Sequence, residues 1–138
     1  MVGRKRHLLI DTIGMLLAVI VHPADVQDRD GAVPLLRQAR RLFPFIARLI
    51  GDAGHQGPKM AAAVARTGHW TIEIVRRCDR HRFVVRPKRW IVERTIAWIS
   101  RNRRLARDFE RHCRIAAALV RMAMIRIMIR RLAATLSA

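Results

Sequence analysis

Carboxylates are scarce in this chain. Ten Asp and Glu stand against twenty-eight Lys and Arg over 138 residues, a formal net charge of +18 with a sequence pI near 12.0. A compact domain with that excess repels itself unless a polyanion or an anionic surface relieves it. The balance argues against a free-standing enzyme for small neutral substrates. Lysine is rare too, occurring only at Lys5, Lys59 and Lys88, so the cations are arginine almost throughout. The arginine fork grips phosphate oxygens in pairs, where lysine acts as a point charge. A GC-rich coding sequence would also enrich arginine, but it would not remove the acids.

Cysteine is limited to Cys78 and Cys113, far apart and outside any CxxC pair, which fits a reduced, cytoplasmic protein. Long apolar runs are missing. Residues 13–21 are too few to span a bilayer and follow Asp11, while the C-terminal apolar stretch is interrupted by Arg121 and Arg126. The basic start Arg4-Lys5-Arg6 leads into a strand-like segment with no small-residue cleavage site, so neither a secretory leader nor a membrane partner is expected. Aromatics are few, with no tyrosine, and the three tryptophans and the late methionines read as core or interface material.

What is present is a 51% apolar chain of single-domain length, enough to build a core. Residues 6–22 read as an antiparallel hairpin, two apolar runs around Asp11-Thr12-Ile13-Gly14, ended by His22-Pro23. The acids of residues 25–30 open a helix carried by Val33, Leu35, Leu36, Ala39 and Leu42 and closed by Pro44. A buried strand over 45–50 runs into Gly51-Asp52-Ala53-Gly54, and a helix over 58–66 stops at Gly68. A strand over 70–75, a basic loop over 76–82 and a brief strand over 83–85 follow. A helix from Arg89 is expected to run through Ile99 and on to Phe109. A last helix over 115–136 packs on the sheet with its arginines outward. The pattern is one mixed α/β domain without repeats or linkers.

Most of the ten acids have plain explanations. Asp25, Asp28 and Asp30 start a helix, Asp11 serves a turn, Asp79, Asp108 and Glu110 are solvated, and Glu73 alternates with Ile72 and Ile74 so as to face solvent. Asp52 and Glu93 remain. Asp52 lies past a strand end between small residues, where a side chain projects into a crevice. Glu93 sits on an aromatic, apolar helix four residues after Arg89. One reading is an ordinary i,i+4 ion pair; the other joins Asp52 and Glu93 as ligands of a Mg²⁺-type site that still needs a third acid. His55 lies close to Asp52. Cys78 and His81, with His112-Cys113, have the count for a zinc site, though adjacent His and Cys make poor tetrahedral partners. Arg101, Arg103, Arg104, Arg107 and the basic loop would supply phosphate contacts to a nucleic acid.

Three segments carry a resemblance: Gly3-Arg4-Lys5-Arg6-His7-Leu8-Leu9-Ile10-Asp11-Thr12, His22-Pro23-Ala24-Asp25-Val26-Gln27-Asp28-Arg29-Asp30-Gly31-Ala32, and Arg89-Trp90-Ile91-Val92-Glu93-Arg94-Thr95 with Ala97-Trp98. With these the chain resembles the DDE transposases related to insertion sequences four and five, over the C-terminal part of that family's catalytic domain, here residues 1–138. The resemblance implies an α/β ribonuclease-H-like mixed sheet with flanking helices, truncated because the first, central strand precedes the Gly-Arg-Lys-Arg segment. It implies Asp52 and Glu93 as the second and third catalytic, metal-binding acids, with Mg²⁺ or Mn²⁺ as cofactor. Arg89 matches the arginine of the group's Tyr–Arg–Glu–Lys signature, whose tyrosine position falls on Arg86 and whose lysine position falls on Ser100, beside Arg101. Arg86, Lys88, Arg89, Arg94 and Arg101 are the implied DNA contacts.

The first acid of that family belongs to the first strand, and Asp11, at a hairpin turn, does not replace it. The expectation is a partial transposase, inactive alone, whose intact form cleaves DNA at element ends and transfers the strand to target DNA. Its partners would be DNA, the product of an upstream reading frame and further copies of itself. The competing expectation is a non-catalytic basic DNA-binding protein or regulator derived from a transposase.

Overall fold

The computed structural model describes residues 3–75, 88–107 and 109–137. The chain opens with β1 (Arg4–Ile10) and β2 (Leu16–Pro23), antiparallel and paired from Arg4↔Pro23 to Leu9↔Ala18, with an irregularity after Leu9. The turn between them is held by one carboxylate. Asp11 Oδ1 accepts the Ile13 and Met15 N–H groups at 2.9 and 2.8 Å, the local side-chain bond that makes Asp a turn former. Gly14 carries a φ of +87° there, and a Cβ on it would sit 2.8 Å from Thr95 Oγ1, so both conformation and space call for glycine.

Next comes α1 (Asp28–Leu42), with Asp28 and Asp30 in its first turn and Arg40 and Arg41 in its last, each complementing the helix dipole. Then β3 (Arg48–Asp52), α2 (Pro58–Thr67) and β4 (Thr71–Val75) form a βαβ unit, β4 parallel to β3 from Arg48↔Thr71 to Asp52↔Val75. The remainder is helical: α3 (Arg89–Ser100), α4 (Arg103–Ala106) and α5 (Cys113–Leu136).

Strand alternation sends successive side chains to opposite faces, and the hairpin uses both. Leu9, Ala18 and Ile20 meet Leu35 and Ala39 of α1 on one face. Leu8, Val19 and Val21 meet Ile99, Val120 and Met124 on the other. The hairpin is thus a middle layer between α1 and the α3–α5 helices. The parallel pair leans on the same α1: Leu49 and Ile72 share an apolar cluster with Ala32, Leu36, Met60 and Val64, and Leu9 of β1 packs against it.

The expected α/β architecture with antiparallel and parallel pairing and flanking helices is present, but as two two-stranded sheets. Among the described residues β1 bonds only to β2 and β3 only to β4. Three boundaries also depart from the sequence pattern. The third strand begins at Arg48, and Phe45 is 80% exposed. The preceding residues are tied into a turn instead, by Phe43 N–H to Ala39 O, Ile46 N–H to Phe43 O, and Arg40 Nη1 to Pro44 O. The helix from Arg89 stops at Ser100, where Asn102 Nδ2 donates to the last-turn carbonyls of Trp98 and Ile99 at 3.2 and 3.0 Å. The last helix starts at Cys113 and exposes apolar side chains as well as arginines.

The basic loop over 76–82, the strand over 83–85 and Arg86 lie outside the described residues, as do Cys78, Asp79, His81 and Asp108 of the other sequence readings. Among the described residues no helix is long and apolar enough to cross a membrane.

Candidate functional site

β3 delivers Asp52 to its carboxyl end in an extended conformation, and the chain turns at once into a short 3₁₀ segment, Ala53–His55. Asp52 Oδ1 caps that turn, accepting the Gly54 N–H at 3.1 Å and facing His55 Nδ1 at 2.6 Å. A carboxylate has no proton to give, so the imidazole donates. The Asp52 side chain is 79% exposed.

A second carboxylate converges here that the sequence reading assigned only to a helix start. Asp28 Oδ1 pairs with Lys5 Nζ at 3.1 Å. A Cβ on Gly54 would lie 3.3 Å from both Asp28 Oδ2 and Asp52 Oδ1. The two acids therefore flank one glycine. No local pattern announces this, because α1 brings Asp28 to the turn from a distance of twenty-odd residues. The only hint is the glycine after Asp52-Ala53, small enough to admit both groups.

Beneath this rim lie His7 and His22, their rings edge to face at 5.4 Å between centroids. Among the described residues neither Nε2 has a hydrogen-bond partner. Burial pushes the His7 pKa below its ordinary value, and His22, His55 and Lys5 push the same way, while Asp28 opposes them.

Glu93 stands on α3. Arg89 Nε donates to its Oε1 at 2.9 Å, and both side chains are more than half exposed, so the i,i+4 pair read from the spacing is formed. Lys88 precedes the helix in a left-handed conformation, φ +77°. Arg94 is turned inward: its guanidinium stacks between Trp90 and Trp98, at 4.5 and 4.7 Å from the ring centroids, and donates to Ile13 O at 2.7 Å. Beside it the buried Thr95 hydroxyl bonds Gly14 O at 2.9 Å. Those two contacts dock α3 on the hairpin turn and so fix where Glu93 stands. Arg101 is exposed at the end of α3. Glu110, expected to be a solvated charge, instead has a 12% exposed side chain and accepts from Arg104 at 2.6 Å.

Carboxylate oxygens are the donors a hard cation such as Mg²⁺ takes. Asp52 and Glu93 each have a partner of their own, and no hydrogen bond or ion pair joins them among the described residues. No group of three or more His, Cys, Asp or Glu side chains is placed to hold a metal ion among those residues. The donor chemistry suits the cation; the number of donors does not.

No solved structure matches this chain significantly. It is 30% identical over 131 residues to a Burkholderia cepacia protein assigned as the transposase for insertion sequence element IS402, the match covering 87% of this chain and 60% of that protein. The chain thus spans about three fifths of the curated relative it matches. A family model described as the transposase DDE domain matches residues 2–128, nearly the whole chain, and by that match the chain belongs to the DDE transposase family.

Proposed function

We propose that residues 1–138 are the C-terminal portion of a DDE transposase catalytic domain of ribonuclease-H-like fold, from the group of insertion sequences four and five. In this reading the chain supplies Asp52 and Glu93 as two of three acids, and a strand from outside it supplies the third. The observation that carries the reading is the division of the sheet. Among the described residues β1 and β3 each lack a partner on one edge, yet both rest on α1 through Leu9 and Leu49. A strand laid between them would join the two pairs into one mixed sheet and end beside Asp52. Edge strands of this kind present unpaired N–H and C=O groups that a further strand satisfies.

Two carboxylates do not make an ion site, so strand cleavage and strand transfer are assigned to the complemented enzyme and not to this chain alone. Arg89 pairs with Glu93 on α3, and Arg101 and Lys88 stand at the two ends of that helix, where DNA phosphates would be met. Of the two other expected contacts, Arg94 is engaged with Trp90, Trp98 and Ile13 O, and Arg86 lies outside the described residues.

The test is complementation. The chain would be co-expressed with a polypeptide carrying the upstream portion of the IS402 protein, and Mg²⁺-dependent cleavage of a plasmid bearing an element end would be followed. No cleavage is expected from the chain alone, and cleavage from the mixture. Asp52→Asn and Glu93→Gln should each lower it by about two orders of magnitude or more. Cleavage by the chain alone, or by a mixture indifferent to both substitutions, would sink the reading. The second reading, a non-catalytic DNA binder, is favoured by the +18 charge and by the exposed Arg101, Arg103 and Arg107. In that case the Glu93→Gln chain binds DNA as the parent does and no mixture cleaves it.

A further inference from the structure

The outer face of α5 carries an apolar seam that no described residue covers. Ile115, Met122, Ile125, Ile129, Leu132 and Leu136 are 45–87% exposed. With the exposed Ala118 they follow steps of three and four residues along the helix. Buried positions of the same helix, among them Ala116, Val120 and Met124, occupy the opposite side and pack on the hairpin. The seam is therefore separate from the core-facing stripe. An alternation of three and four is the period at which one helix meets another along its length, and from Ile115 to Leu136 it extends about 30 Å. Isolated surface apolar residues need no explanation, whereas a continuous row of this length marks an interaction surface.

The charges beside the seam narrow the occupant. Arg114 runs along one side and Arg126 along the other, while Arg121 turns to the hairpin and donates to Val19 O at 3.2 Å, and α5 as a whole carries five arginines and no carboxylate. A second α5 laid against the first, in either direction, would set arginine against arginine with no acid to answer it. A membrane surface suits a broad apolar face, whereas this one is a narrow row following single steps of three and four. We propose that the seam binds an amphipathic helix of a different polypeptide, apolar at the positions that enter the seam and rich in Glu or Asp along both flanks.

The probe is a pair of synthetic helices of equal length, both with Leu and Ile at the seam positions, one flanked by Glu and the other by Lys. Each is labelled and titrated with the full chain. The Glu-flanked helix should bind at least tenfold more tightly than the Lys-flanked one, and the difference should shrink as salt is raised. Ile125→Lys with Ile129→Lys should abolish binding while circular dichroism shows unchanged helix content, since both residues are exposed. Arg114→Glu with Arg126→Glu should narrow or reverse the preference between the two probes, a result that loss of folding cannot produce. Equal binding of both helices, or of neither, overturns the proposal. So does a dimer of the chain that Ile125→Lys dissociates, or binding to phosphatidylserine vesicles in place of either helix.

Discussion

Two buried polar side chains, Thr95 and His7, show how single residues tie this molecule together. Thr95 sits fully buried where α3 meets the hairpin turn, its hydroxyl within 2.9 Å of both Gly14 O and Ile91 O. Thr95→Val keeps the branched shape but leaves the Gly14 carbonyl without its donor. A buried acceptor stripped in this way costs about 1–3 kcal/mol, to be read as a lower urea midpoint. His7 acts through protonation. In the unfolded chain its imidazole takes up a proton near pH 6.5, whereas burial and the nearby His22 hold the native pKa lower. Between those two values the unfolded state binds more protons, so stability falls as pH drops below about 6.5 and the loss levels off once native His7 is protonated. His55 and Lys5 deepen the effect and Asp28 moderates it. Urea midpoints at pH 7.5 and 5.5 should differ less in His7→Gln than in the parent chain; an equal difference would assign the slope to other groups.

At the level of elements, helix propensity and packing disagree at Gly31. Alanine in place of glycine inside a helix ordinarily gains up to about 1 kcal/mol. Here a Cβ would fall on the buried His7 ring, closer than any real contact. Overpacking of that kind costs about 1–3 kcal/mol, so Gly31→Ala should lower the thermal midpoint despite its better propensity. The elements themselves were unequally legible. The hairpin could be read because Asp11, Gly14 and Pro23 are local signals of a turn and a strand end. α1 could be read because its acids, its apolar period and Pro44 agree. The end of α3 could not, since one side chain, Asn102, folds back on the last carbonyls. The start of β3 was hidden for a similar reason: Phe45 and Ile46 look like strand residues by composition, but the Ile46 N–H bonds Phe43 O and holds them in a turn.

For the whole molecule, charge and sheet topology decide the behaviour. A net charge of +18 makes binding to any duplex a matter of counterion release. Raising salt from 50 to 200 mM should weaken duplex binding by about a thousandfold or more, measured by fluorescence anisotropy, with little dependence on sequence in the chain alone. The topology bears on solubility. Among the described residues each sheet has two strands and open edges, and two-stranded sheets gain their stability from the helices laid on them. α1 is the shared support, touching β1, β2 and, through Leu36, the cluster around Leu49.

The sequence by itself determined the alternation of strands and helices, the i,i+4 pair of Arg89 and Glu93, the placing of Asp52 at a strand end and the family to which the chain belongs. Each of these follows from spacing along one segment or from long local motifs. Tertiary structure alone decided that the described strands form two pairs and not one sheet, because hydrogen bonding between segments is not written within either. It also decided that Asp28 stands beside Asp52, that Arg94 is drawn inward between two tryptophans, and that α5 keeps an apolar seam outward. In each case a distant element supplies the neighbour, and no pattern within one segment encodes which element that will be.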